Sequence, residues 1–162
     1  MRGLRRRHLG SLVVVIALLV PSRVHAQQCK NDGGPFQSNL IPAPNCPSPI
    51  GICTLGTLEG KSPETYYFVM DTLGPAGDTA APNKFTYTGH SVITRTRGGA
   101  TLLGHDSGVI FFDGVTNPFV TTVDVVGGTK QYSDATGQFV ATGQIDFVTG
   151  QGSGTFTSTI CK

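Results

Sequence analysis

Between Phe119 and Val148 two runs of alternating apolar and polar residues flank a glycine-rich corner, Val125-Val126-Gly127-Gly128-Thr129-Lys130-Gln131-Tyr132-Ser133-Asp134-Ala135-Thr136-Gly137. A period of two residues is the pattern of a half-buried strand. Two successive glycines end the first strand, where the backbone needs positive φ or close approach. The corner then supplies an aromatic, Tyr132, able to fold back over an open end, a small Ala135, and Gly137 where the next strand starts. Corners of this kind between long strands are what a small closed barrel requires.

The same pattern runs through most of the chain. It predicts strands over Ile52–Glu59, Thr65–Leu73, Lys84–Arg97, Thr101–Asp113, Phe119–Val126, Gln138–Val148 and Gly154–Cys161. Turn signals separate them: Gly74-Pro75-Ala76-Gly77-Asp78, Gly98-Gly99, Asp113-Gly114, Asn117-Pro118 and Thr149-Gly150-Gln151-Gly152. No window beyond the N-terminus carries a 3.6-residue apolar period, so the chain reads as all-β, a barrel or a sandwich. A turn at Gly150-Gln151 would set Ile145 opposite Phe156, Gly143 opposite Ser158 and Ala141 opposite Ile160. The other face then pairs Thr142 with Thr159 and Gln144 with Thr157, a polar threonine surface behind a tapered apolar one.

Residues 1–26 read as a secretory signal peptide: Arg2, Arg5, Arg6 and Arg7 precede the apolar run Leu12 to Val20, and Val24-His25-Ala26 offers a cleavage site before Gln27. The run is much shorter than the roughly 20 residues a spanning helix needs. Five of the twelve basic residues lie in this segment, which leaves seven against ten acidic and a net charge near −3 after cleavage. Nucleic-acid binding loses its compositional support, and the processed chain is predicted to be secreted or periplasmic, with no membrane attachment. Residues 27–50 hold Pro35, Pro42, Pro44, Pro47 and Pro49 and read as an irregular N-terminal arm, with the barrel domain at 51–162.

Four cysteines in an exported chain imply two disulfides. No Cys-x-x-Cys or His pairing at ligand spacing supports a metal site. In a closed barrel the first strand starts beside the end of the last, which favours Cys53–Cys161 with Cys29–Cys46; the alternative joins Cys46 to Cys53 and Cys29 to Cys161. Seven strands are counted, so the favoured pairing needs an eighth, either missed or made by a break at Gly108.

The corner Val125-Val126-Gly127-Gly128-Thr129 with Tyr132, Ala135 and Gly137 resembles the signature of plant dirigent proteins. Gly98-Gly99-Ala100-Thr101-Leu102-Leu103-Gly104-His105-Asp106 is similar to the strand pair before that signature. Thr142-Gly143-Gln144-Ile145-Asp146 with Gly152-Ser153-Gly154-Thr155-Phe156-Thr157 looks like secreted bacterial proteins of the allene oxide cyclase barrel type. The likeness spans Gly51 to Cys161 and is specific in Val125 to Gly137; Lys130 departs from it, where dirigents usually carry another glycine. The resemblance implies an eight-stranded antiparallel barrel with a central pocket for apolar or phenolic molecules, steering a cyclisation or coupling largely by shape, and in several relatives a trimer. No active-site residue of the family maps onto this chain.

The residues that could carry chemistry are few. His90 and His105 fall on neighbouring strands, and a tight turn at Gly98-Gly99 would put His90 opposite Ser107 and diagonal to His105. Asp106, beside the apolar run Val109-Ile110-Phe111-Phe112, could act as a general acid inside a dry barrel. Tyr67, Tyr87, Phe111 and Tyr132 are the candidate ligand contacts. No Gly-x-Ser-x-Gly elbow and no phosphate loop appears. The leading expectation is a secreted barrel holding an apolar small molecule, with no cofactor. A cyclase or isomerase assisted by His90, His105 and Asp106 is the second, and a self-assembling structural protein the third. A homo-oligomer, dimer or trimer, is compatible with each.

Overall fold

The computed structural model describes residues 27–162; the expected signal peptide, residues 1–26, lies outside them. Eight antiparallel strands close into a barrel in simple chain order: β1 (Cys29–Leu40), β2 (Cys53–Glu59), β3 (Pro63–Pro75), β4 (Lys84–Arg95), β5 (Thr101–Phe111), β6 (Asn117–Gly128), β7 (Thr136–Asp146) and β8 (Gln151–Cys161). A single 3-10 turn, Lys130–Tyr132, sits in the corner between β6 and β7. The fold class read from the sequence is therefore the one observed.

The eighth strand comes from the expected arm. Cys29–Leu40 forms β1 and pairs with β8 from Cys29 opposite Cys161 to Asn39 opposite Gln151. Pro35 is tolerated because β1 pairs with β2 only from Phe36 onward, so upstream of that point the strand is bonded on one side. Pro42, Pro44, Pro47 and Pro49 all fall in the loop between β1 and β2. The disulfides follow from this correction. Cys29, not Cys53, begins the first strand, so the bonds are Cys29–Cys161 and Cys46–Cys53 rather than the favoured pairing.

Two hairpin registers also differ from expectation, each by an even number of residues, so every side chain keeps its face. At β7–β8, Asp146 pairs with Gln151 and Ala141 with Phe156. The turn begins earlier because Asp146 Oδ1 accepts the backbone N–H of Val148 at 2.7 Å and of Thr149 at 3.2 Å. At β4–β5, His90 lies directly opposite His105 rather than Ser107.

The barrel interior is built from large rings seated on glycines. A Cβ at Gly56 would lie 2.6 Å from the Tyr66 ring, and one at Gly143 or Gly154 2.7 Å from Phe36. Gly108 stands in the same relation to Tyr87, whose ring would overlap any added Cβ. Small residues on one strand thus leave room for the aromatic of another, which lets eight strands close without internal collision. Gly108→Ala should cost about 1–3 kcal/mol, the usual penalty of overpacking, read as a lowered denaturant midpoint; a midpoint within error of the parent would contradict this account of the packing.

The two ends differ. At the end bearing the termini, Tyr132 folds over the barrel and is 4% exposed, with Arg95 at 5.4 Å and Lys162 at 4.7 Å from its ring centre. The aromatic of the corner therefore acts as the anticipated plug. Lys130, the position that departs from the dirigent pattern, adopts φ 56°, a region in which glycine carries no steric penalty. Its ammonium donates to the Gly98 carbonyl, tying this corner to the β4–β5 turn. At the opposite end Phe112 packs against Phe85 and Phe147, with ring centres 5.0 and 5.8 Å apart.

Candidate functional site: the barrel lumen

Alternation along each strand decides what reaches the interior. One core cluster, around Phe36, Leu58, Leu102 and Phe139, fills the half of the barrel nearest Tyr132. A second, around Met70, Tyr87, Ile110 and Ile145, fills the other half. A cavity of about 110 Å³ runs between them, lined mostly by apolar side chains. Asp106 enters it from β5, midway between Leu102 and Ile110 of the two clusters.

The polar groups in this cavity are few and convergent. Ser91, on β4, donates its hydroxyl to Asp106 Oδ1 at 2.8 Å. Asp106 Oδ2 is buried with no hydrogen-bond partner among the described residues. Burial pushes the carboxyl up to about 7, and the Ser91 hydrogen bond opposes that rise. Near neutral pH the group is thus poised between a proton donor and a bare carboxylate. Burial likewise raises the Tyr66 phenol, countered by the neighbouring Ser38 and Thr54 hydroxyls, and the Tyr87 phenol, countered by Thr121.

Of the expected site residues, Asp106 and Tyr87 line the lumen. His90 and His105 do not. They face each other on the outer surface, where His90 Nδ1 lies 3.1 Å from Asp71 Oδ2. Since His105 and Asp106 are neighbours on one strand, the wall of the barrel separates them, and the histidines cannot touch a molecule inside. Tyr67 and Phe111 occupy the outward positions next to Tyr66 and Ile110 and are not among the lining residues. Tyr132 borders a second, more polar cavity of about 250 Å³ at the plugged end, together with Lys30, Lys61, Arg95 and Lys162. There Arg95 Nε donates to Glu64 Oε1 at 3.0 Å.

The residues that sequence reading did not single out are the aliphatic hydroxyls: Ser91 above all, with Ser38, Thr54 and Thr121. Their signal was positional. Each shares the face of a large apolar neighbour two residues away on its own strand, such as Phe36 for Ser38 or Ile93 for Ser91. Among the described residues no cluster of His, Cys, Asp and Glu is arranged to hold a metal ion, and no helix is long and apolar enough to cross a membrane. No protein-family model and no curated protein matches this chain.

Proposed function

We propose that this protein is an exported barrel that holds an apolar or phenolic small molecule in its lumen. The observation that carries the proposal is the apolar cavity with one orphaned carboxyl oxygen and a few hydroxyls, the usual composition of a small-molecule site. Export is supported by the signal-like N-terminus and by two disulfides that leave no free cysteine among the described residues. The dirigent and allene oxide cyclase likeness points the same way, to a molecule enclosed and shaped by the barrel.

Native mass spectrometry of the protein from its own medium tests the idea directly, with a retained small-molecule mass expected. A lumen-filling variant adds a second arm. Ala141 lines the cavity, and Ala141→Phe should weaken uptake of a fluorescent apolar probe at least tenfold while leaving the far-ultraviolet spectrum intact. Equal uptake by both proteins would place the probe, and the proposed site, elsewhere.

The second reading, a cyclase or isomerase that works by templating, is favoured by the protonated state available to Asp106. On that reading Asp106 donates the proton and the two histidines have no direct role. His105→Ala would then turn over normally while Asp106→Asn would not. For the self-assembling alternative, the outer face carries an apolar row across β2 to β5, Leu55, Tyr67, Val92 and Leu103, paired in register. A contact between copies through this row would support the homo-oligomer that the dirigent-type resemblance implies.

A further inference from the structure

We infer that the lumen selects a neutral ligand carrying a hydrogen-bond acceptor oxygen, of the ketone, ester or ether class, which is held by the Oδ2 side of Asp106. The inference rests on the proposal that the lumen is a binding site and adds what chemistry it takes.

Asp106 is 5% exposed and its side chain lines the cavity. One oxygen is committed to the Ser91 hydroxyl, and the other has no partner among the described residues. A buried polar atom left in that condition is costly, and native structures keep such atoms where they serve a function. With Oδ1 accepting from Ser91, the proton of the neutral carboxyl resides on Oδ2 and is offered to the lumen. The Tyr66 phenol has the Ser38 and Thr54 hydroxyls as neighbours, and the Tyr87 phenol has that of Thr121. Among the described residues Asp106 Oδ2 is the one fully buried side-chain polar atom without a partner, so it is the group that a lumenal ligand would satisfy.

Charge settles the class of acceptor. No Lys, Arg or His lines this cavity among the described residues. An anionic ligand such as a carboxylate would enter with nothing to neutralise it and would meet Asp106 at close range. A neutral oxygen has no such penalty. The carboxyl donates only while protonated, so selectivity for an acceptor must depend on pH. The groups facing Asp106 are Ser91 and Tyr87 on β4 and Tyr66 on β3; His90 and Asp71 act on it through the barrel wall. On β6 the residue opposite is Val123, which does not titrate.

Acetophenone and ethylbenzene form the test pair, matched in shape and differing in the carbonyl. Their dissociation constants would be measured by calorimetry at pH 5.5 and pH 9 for the mature, oxidised protein and for Asp106→Asn and Asp106→Leu. In the parent, the preference for acetophenone over ethylbenzene should fall about tenfold from pH 5.5 to pH 9, the usual scale for losing one buried hydrogen bond. Asp106→Asn, which offers an amide N–H at every pH, should keep the preference at both. Asp106→Leu should lack it at both. A preference indifferent to pH and to Asp106→Leu would overturn the assignment while leaving the lumen as a binding site. Failure of both probes to bind would overturn the lumen reading and this inference with it.

Discussion

Replacing Asp106 by asparagine should raise the thermal midpoint at pH 8 by about 12 °C relative to its effect at pH 4. In the folded barrel the carboxyl titrates at about 7, against 3.8 for the free side chain, chiefly because burial disfavours the charged form. Between those values the unfolded chain has lost the proton and the folded chain keeps it. The folded state then binds more protons, so stability falls as pH rises from near 4 to near 7. Three pH units at about 1.4 kcal/mol each bring that loss to about 4 kcal/mol. Asparagine preserves shape and the link to Ser91 but does not titrate, so the loss disappears. At roughly 3 °C per kcal/mol for a domain of this size, the gain is the stated one. Groups such as Asp146, whose carboxyl is held low by the Val148 and Thr149 hydrogen bonds, titrate alike in both proteins and cancel in the difference. Parallel curves of midpoint against pH for parent and variant would show that Asp106 is not the buried acid described here. Curves that separate as pH rises, the expected result, mean that the barrel keeps a buried acid at a cost to its own stability.

The barrel itself was legible because its pattern is local. Alternation and glycine corners marked seven strands but left open which face of each lines the lumen, and even shifts of register kept the side chains of each hairpin on the faces they shared. β1 escaped notice for a physical reason. Asn31-Asp32-Gly33-Gly34-Pro35 has no β propensity, and only the partner strand β8, more than 100 residues away, makes it a strand. Missing β1 also displaced the cysteine that starts the barrel, which is why the seam was assigned to Cys53. In the site, alternation carried more than was drawn from it. His105 and Asp106 are adjacent, so one wall residue could face the lumen and the other could not. The choice between them lay in the neighbours: Leu102, Gly104, Gly108 and Ile110 share the face of Asp106, whereas Leu103, Ser107 and Val109 share that of His105. Ser91 could not be found from type alone, since serines are common on both faces. Its role appears only when the β4–β5 register brings it beside Asp106.

The Cys29–Cys161 bond should stabilise the protein about twice as much as Cys46–Cys53. It spans 132 residues and crosses the seam where β1 meets β8, whereas the second bond closes a loop with a separation of 7. Chain entropy removed from the unfolded state grows with the logarithm of loop length, which gives about 5 kcal/mol for the first and about 2.5 kcal/mol for the second. The paired variants Cys29→Ala with Cys161→Ala and Cys46→Ala with Cys53→Ala would be compared by guanidinium unfolding, with the first losing the larger share of its midpoint. The strands at the seam remain joined by the β1–β8 ladder in either case, so the seam variant should still fold into the same barrel in the cold. Equal losses, or a larger loss for the short loop, would mean that Cys46–Cys53 acts in the native state instead. It would then hold the proline-rich loop against β3, where Ile52 lines the lumen and its carbonyl accepts the Met70 N–H at 3.0 Å. That second outcome would move the weight of the smaller disulfide from stability to the shape of the binding cavity, and apolar probe uptake would fall with the midpoint.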